Sequence, residues 1–254
     1  MPVKVKLASK VAREGGVKLA VHAAAGMGKS MLAATLTKPV VILTERTGAD
    51  CFSDENIRQI YGGKGNTKIG VVEAYTIEDV EEAFTELVED ERFDTIVLDS
   101  ASELSKMLLK LAMEGTTNKM QAYGMMADNI DELLRNLIDC PKNIVFLFHS
   151  HKVEVYDEEG NEMGTNFVAG FEGQKMKTDF SHMIGDIFCI VNDFDDQGEE
   201  TRLLRTRQRD TPFYAKNRSG MLKDLEPMNL QAIIDKLSGV KNPSRKKARG
   251  KKPQ

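Results

Sequence analysis

Residues 23–30 read AAAGMGKS and follow a short apolar run, VKLAVH (17–22). Gly28, Lys29 and Ser30 meet the end of the G-x-x-x-x-G-K-[ST] phosphate-loop pattern, while Ala23 stands where that pattern has its first glycine. The expected context is strand, small residues, then a helix starting near Lys29. Gly26 and Gly28 would let backbone N–H groups turn inward around phosphate oxygens. Lys29 would bring a charge to the outer phosphates and Ser30 a hydroxyl to Mg²⁺, at a helix start whose dipole favours anions. If position 23 needs a positive φ, alanine there costs on the order of 1 kcal/mol. The nucleotide-binding candidates are Ala23, Ala24, Ala25, Gly26, Met27, Gly28, Lys29, Ser30 and Met31.

Working outward, other apolar runs end in polar groups. TIVLDS (95–100) is a buried-strand pattern that delivers Asp99, about 70 residues after the loop, where an acid can hold Mg²⁺. VVILTERTG (40–48) delivers Glu45, placed to polarise a water; the plainer alternative is a solvated pair with Arg46. FLFHSH (146–151) delivers His149, with His151 as its competitor, as a group that could sense a terminal phosphate.

Further strands are expected at 39–44, 68–73, 94–99, 143–148, 186–192, 201–206 and 212–216. Helices are expected from the stripe Val80, Phe84, Leu87, Val88 behind a capping box at Thr76 and Asp79, on both sides of EGTTNKMQAYG (114–124), and over roughly 228–238. Alternating strands and helices predict an α/β fold, a mainly parallel sheet flanked by helices, with an antiparallel extension at one edge. The stretch 152–182 shows no clear period and reads as a long loop. The organisation expected is an N-terminal segment (1–14), one ATPase domain (15–238) and a basic, disordered tail (239–254).

The chain has 254 residues and a formal charge of −4, but its last fifteen residues, VKNPSRKKARGKKPQ, carry seven basic residues and no acid, so the remainder carries −11. An acidic body with a basic arm suits nucleic acid, or simply solubilises the end. No apolar run is long enough to span a membrane. Cys51, Cys140 and Cys189 are widely spaced and read as reduced thiols, which suggests a cytoplasmic setting.

Taken in order, AAAGMGKS, VILTERTG, TIVLDSASEL, EGTTNKMQAYG, IVFLFHSH and FYAKNRSG resemble the RecA-type branch of P-loop ATPases, and within it the phage Sak-four single-strand annealing recombinases, over most of residues 15–236. The resemblance implies a RecA-like fold, ATP and Mg²⁺ as cofactors, Lys29 and Ser30 on phosphate and magnesium, Asp99 as magnesium acid, and Glu45 as catalytic glutamate. His149 falls where RecA proteins carry a polar sensor, commonly glutamine. It also implies DNA contact through EGTTNKMQAYG and the loop after His149, and Lys216 and Arg218 of AKNRSG reaching a neighbouring subunit's nucleotide. Single-stranded DNA, further copies in a ring or filament, and a single-strand-binding protein are the implied partners, in a host cytoplasm if phage-encoded. Tyr123 and Phe167 are the aromatic residues placed to stack on bases.

Two other classes remain open. One is an ATP-binding switch or adaptor, such as a helicase loader. The other is a nucleoside or nucleotide kinase, in which RLLRTRQR (202–209) would serve as an arginine-rich lid.

Overall fold

The computed structural model describes residues 15–173, 180–194, 197–209 and 211–239. The proposed N-terminal segment and nearly all of the basic tail lie outside the described residues.

Five strands carry apolar residues on both sides: β1 (Lys18–Ala23), β2 (Pro39–Leu43), β4 (Thr95–Asp99), β5 (Asn143–His149) and the first half of β8 (Asp186–Phe194). Such strands need cover on both faces, which a parallel sheet with helices above and below supplies. With β3 (Gly70–Glu73) at one edge, the order is β3-β2-β4-β5-β1-β8, all neighbours parallel. β9 (Glu200–Arg205) and β11 (Leu225–Pro227) add antiparallel strands beyond β8, and β10 (Lys216–Asn217) pairs with the start of β8. The chain therefore has the expected mainly parallel α/β architecture with an antiparallel extension at one edge.

Successive residues of β4 and β5 serve opposite cores. Ile96, Leu98, Ile144, Phe146 and Phe148 face α2 (Ile77–Glu89), α3 (Ala101–Gly115) and α4 (Lys119–Asp139). Val97, Val145 and Leu147 face a 3₁₀ segment, Ser30–Thr35, and α5 (Leu230–Leu237). Each such side chain contributes roughly 1.5–3 kcal/mol on burial, so the interleaved pattern locks the register that brings the strand ends level. A further helix, α1 (Asp54–Tyr61), tucks Ile57 under Met31 and Ala34.

Four expectations change. The segment after the phosphate loop is 3₁₀, six residues long. It must run back over β2 before Pro39, and a 3₁₀ helix covers about 12 Å in six residues where an α-helix covers about 9 Å. EGTTNKMQAYG is no loop: Gly115 ends α3, and Asn118 caps α4 by accepting from the N–H groups of Met120 and Gln121, leaving only residues 116–118 as a turn. Within 152–182 lies a hairpin, β6 (His151–Tyr156) with β7 (Glu162–Val168). The expected strand at 212–216 is mostly irregular. Phe213 makes a lone bridge to Phe167, and only Lys216–Asn217 joins the sheet. Among the described residues no helix is long and apolar enough to cross a membrane, and the three cysteines are free thiols.

Candidate nucleotide site at the strand ends

Ala23 is the last residue of β1 and pairs with His149 at the end of β5. Its backbone is ordinary strand, as no described non-glycine residue has a positive φ. The expected cost of alanine therefore does not arise. The left-handed turns fall at Gly26 (φ 77°) and Gly28 (φ 89°), which a side chain would strain.

Lys29 is buried at 7% exposure, with its ammonium folded back onto the carbonyls of Ala23 (3.2 Å) and Ala24 (3.1 Å). Burial lowers its pKa, while the charges of Asp99 and Glu45 oppose that shift. Asp99 is 6% exposed, and its Oδ2 has no hydrogen-bond partner. Burial raises its pKa, as does the nearby charge of Glu45; the Ser30 hydroxyl, Lys29 and His149 act the other way. A buried carboxylate oxygen with no bond to make, beside a hydroxyl at the mouth of a phosphate-type loop, fits a hard cation. Ser30 and Asp99 are the residues that would hold Mg²⁺.

Glu45 lies two residues past β2. Thr44 sets it there: its N–H donates to Asp99 O (2.8 Å), its hydroxyl donates to Ser100 O (2.9 Å), and Ser100 N–H donates to that same hydroxyl (2.9 Å). Glu45 Oε1 meets His149 Nε2 at 3.1 Å. Burial works to raise the Glu45 pKa, but Ser100, His149 and Lys29 together hold it below the ordinary value. Arg46, its alternative partner, lies over the ring of Tyr75 at 4.5 Å. Of the two histidines, His149 meets the glutamate, and its backbone N–H is fixed by Ser102 Oγ (3.0 Å). Lys29, Ser30, Met31, Asp99, Glu45 and His149 thus gather at one edge of the sheet.

Lys216 and Arg218 lie elsewhere, where β8 begins, at the opposite edge from the loop. The Lys216 ammonium donates to the carbonyls of Ser181 and Ile184 (2.8 Å to the latter). Arg218 is exposed, and among the described residues its guanidinium donates to His182 O, at 3.5 Å. Asp186 of β8 lies beside them, accepting from Asn217 Nδ2 (2.6 Å) and Arg218 N–H (3.2 Å). Phe167 stacks on Phe213 with centroids 5.5 Å apart, and Tyr123 is 41% exposed on α4.

Sequence reasoning missed Thr44, Ser102 and His22. His22 is fully buried one residue before Ala23; its Nε2–H donates to Tyr214 O (2.8 Å), so Nδ1 accepts from Ser150 Oγ (2.9 Å). Burial pulls its pKa down to about 4. A lone histidine in an apolar strand signals a buried polar contact, but its partners come from residues over a hundred positions away.

The flagellar accessory protein FlaH of Methanocaldococcus jannaschii is a structural neighbour at 11% identity, 84% coverage of both chains and a TM-score of 0.38. No curated protein matches the sequence. A family model described as an AAA domain, AAA_24, matches residues 15–219, a span that holds the loop, Glu45, Asp99, His149 and Arg218, and the chain belongs to this family of P-loop ATPases.

Proposed function

We propose that the protein is an ATPase of the phage Sak-four type, which binds single-stranded DNA, promotes annealing or strand pairing, and hydrolyses ATP between subunits. The observation that carries the ATPase part is the meeting of Lys29, Asp99, Glu45 and His149 at one strand edge, with one Asp99 oxygen buried and unbonded. Lys29 would leave the Ala23 and Ala24 carbonyls for the outer phosphates. Glu45, held below the ordinary carboxyl range, would accept a proton from the attacking water, and His149 would hold Glu45 in place until the nucleotide is seated. Bound magnesium would supply charge neutralisation at the phosphates.

Arg218 supports the subunit-interface reading by position. It lies beyond the level of Leu19, and about 13 Å of β1 separates Leu19 from Ala23 before the loop begins. It cannot complete its own subunit's site, but an exposed guanidinium on that edge is free to complete a neighbour's. Lys216, bonded inside the subunit, serves better as the clamp that fixes the Arg218 backbone.

The DNA reading rests on the resemblance and on the basic tail. A second reading, an ATP-dependent adaptor that engages a basic protein partner, is favoured by the hairpin after His149, whose turn and flanks carry Glu154, Asp157, Glu158, Glu159 and Glu162 against Lys152 alone. Phosphate is repelled by such a tip. ATP turnover measured against single-stranded DNA concentration separates the two, in the full chain and after removal of residues 241–254. Recombinase function expects DNA to stimulate turnover. It also expects removal of the tail to flatten the salt dependence of DNA binding, by roughly 0.7 in log–log slope for each phosphate no longer neutralised. Turnover indifferent to DNA, with no DNA binding at low salt, would leave the adaptor.

A further inference from the structure

The arginine-rich stretch 202–209 has no part in the chemistry of Lys29, Asp99, Glu45 and His149. Two of its members are spent locally: Arg207 and Arg209 both pair with Asp224. Arg202 is different. It is exposed, and the atom that a side chain at Gly28 would meet first is Arg202 Nη1, 3.6 Å from the position of such a Cβ. The guanidinium therefore stands against the bare backbone of the phosphate loop, at a glycine whose φ of 89° admits no side chain without strain.

The sheet explains how it gets there. β8 runs beside β1 only as far as Cys189 opposite His22, then continues to Phe194, past the end of β1. β9 pairs with this overhang, with Leu204 opposite Ile190 and Arg202 opposite Asn192. Leu204 and Ile190 pack in the same core as Leu32 and Ala33 of the segment that follows the loop. Side chains two apart on a strand share a face, so Arg202 continues the Leu204 face outward and arrives over the loop.

We infer that Arg202 is a nucleotide-binding residue acting within its own subunit, a second cation for the α- and β-phosphates of the nucleotide held by Lys29. This rests on the ATPase reading of the loop. The assignment to the α- and β-phosphates follows from sidedness. Glu45, Asp99 and His149 approach from β2, β4 and β5, on one side of β1, and mark the end of the nucleotide where hydrolysis occurs. β8 and β9 lie on the other side of β1. An arginine from there meets the part of the polyphosphate that stays bound after hydrolysis, and a planar fork of N–H donors suits two adjacent phosphates.

The test is equilibrium binding of Mg·ADP and Mg·ATP to the full chain, for the wild type, Arg202→Ala, Arg202→Lys and a control at an already paired arginine, Arg207→Ala, together with turnover at saturating ATP. Arg202→Ala is expected to weaken ADP and ATP alike, by about tenfold. Arg202→Lys should recover part of that affinity, and turnover at saturation should stay within a factor of about three. Unchanged ADP affinity in Arg202→Ala, or weakening for ATP alone, overturns the inference and leaves the ATPase reading standing. A wild-type chain that binds neither nucleotide overturns both. Since Arg202 is exposed on β9, outside the stretch that pairs with β11, its removal leaves the core intact, and a wild-type melting temperature in the same samples assigns any weakening to the missing guanidinium.

Discussion

The two ends of the parallel strands treat charge in opposite ways. At the end where the strands begin, Lys18 is saturated by three carbonyls, and two further lysines bond two each. Lys18 donates to the carbonyls of Gly16, Cys140 and Lys142, Lys142 to those of Asp90 and Phe93, and Lys216 to those of Ser181 and Ile184. At the end where the strands finish, Lys29 has only the carbonyls of its own loop, and Asp99 Oδ2 has no partner. Both ends are built by the same parallel strands. Buried polar groups with bonds unmade are costly, so the unbonded Asp99 oxygen is where a ligand would complete the structure. On the proposed function, the saturated end holds the fold, and the end with the open Asp99 oxygen holds the chemistry.

That contrast can be broken most directly at Lys29. Lys29→Ala should reduce ATP turnover to background without lowering the melting temperature. Asp99→Asn should lose Mg²⁺-dependent turnover and melt at or above the wild-type temperature, because it removes a buried charge with an unbonded oxygen. Turnover that survives Lys29→Ala, or an Asp99→Asn chain that melts well below wild type, would show that this end is structural after all.

Next in size is the exception at the saturated end, Arg218. Arg218→Ala should cut turnover by about 10³- to 10⁵-fold, as for a trans arginine, and Glu45→Gln by about 10²- to 10⁴-fold, each with nucleotide still bound. Mixing the two inactive proteins creates interfaces in which an intact Glu45 faces an intact Arg218, and part of the turnover should return. Mixtures that co-assemble and stay inactive would confine Arg218 to its own surface.

A smaller effect is expected from His22, which spans both regimes by joining the loop strand to Ser150 and Tyr214. Its folded pKa of about 4 lies below the ordinary histidine value. The native state therefore favours the neutral ring. The stability this contributes is complete above about pH 6.5 and is lost as the pH falls through about 4, on the order of 3 kcal/mol. Thermal melting between about pH 7 and 4 should show this slope, and His22→Gln should flatten it. Equal slopes in both proteins would assign the acid sensitivity elsewhere.

The smallest change tests the saturated end itself. A Cβ at Gly16 would fall 2.2 Å from the Lys142 carbonyl oxygen, so Gly16→Ala should destabilise by about 1–3 kcal/mol and leave turnover at low temperature unaltered. A melting temperature equal to wild type, or abolished turnover in a folded sample, would contradict the division between the two ends.

Legibility in the sequence follows the same division by distance along the chain. Asp99, Glu45 and His149 were legible because each ends an apolar run, and parallel strands of matched length deliver their ends to one place. Their supports, Thr44 against Ser100 and Ser102 against the His149 N–H, were not, because hydroxyls in such runs carry no sign of which distant backbone they will meet. The hairpin 151–168 escaped notice because none of its strand residues is buried, which erases the alternation that betrays a half-buried strand. Residues 114–124 looked like a loop through their glycines and threonines, yet Asn118 starts a helix that buries Ala122 and Met126. Asp186 beside Arg218, and Arg202 over Gly28, depend on antiparallel register beyond β8, which no local pattern declares.

The position of β1 has a consequence for how the chain is made. Its hydrogen-bonded neighbours are β5 and β8, and β5 itself separates it from β4. The phosphate loop leaves the ribosome before β5 and β8, so its strand stays unpaired on one side until residue 149 has been synthesised, and on the other until residue 189. Contacts so distant in sequence close slowly, and an apolar strand with two open edges is exposed to mispairing while it waits. The loop is thus complete in sequence long before its strand is paired, and a ribosome-bound fragment ending before β5 carries the whole AAAGMGKS signature without the β5 neighbour that seats it.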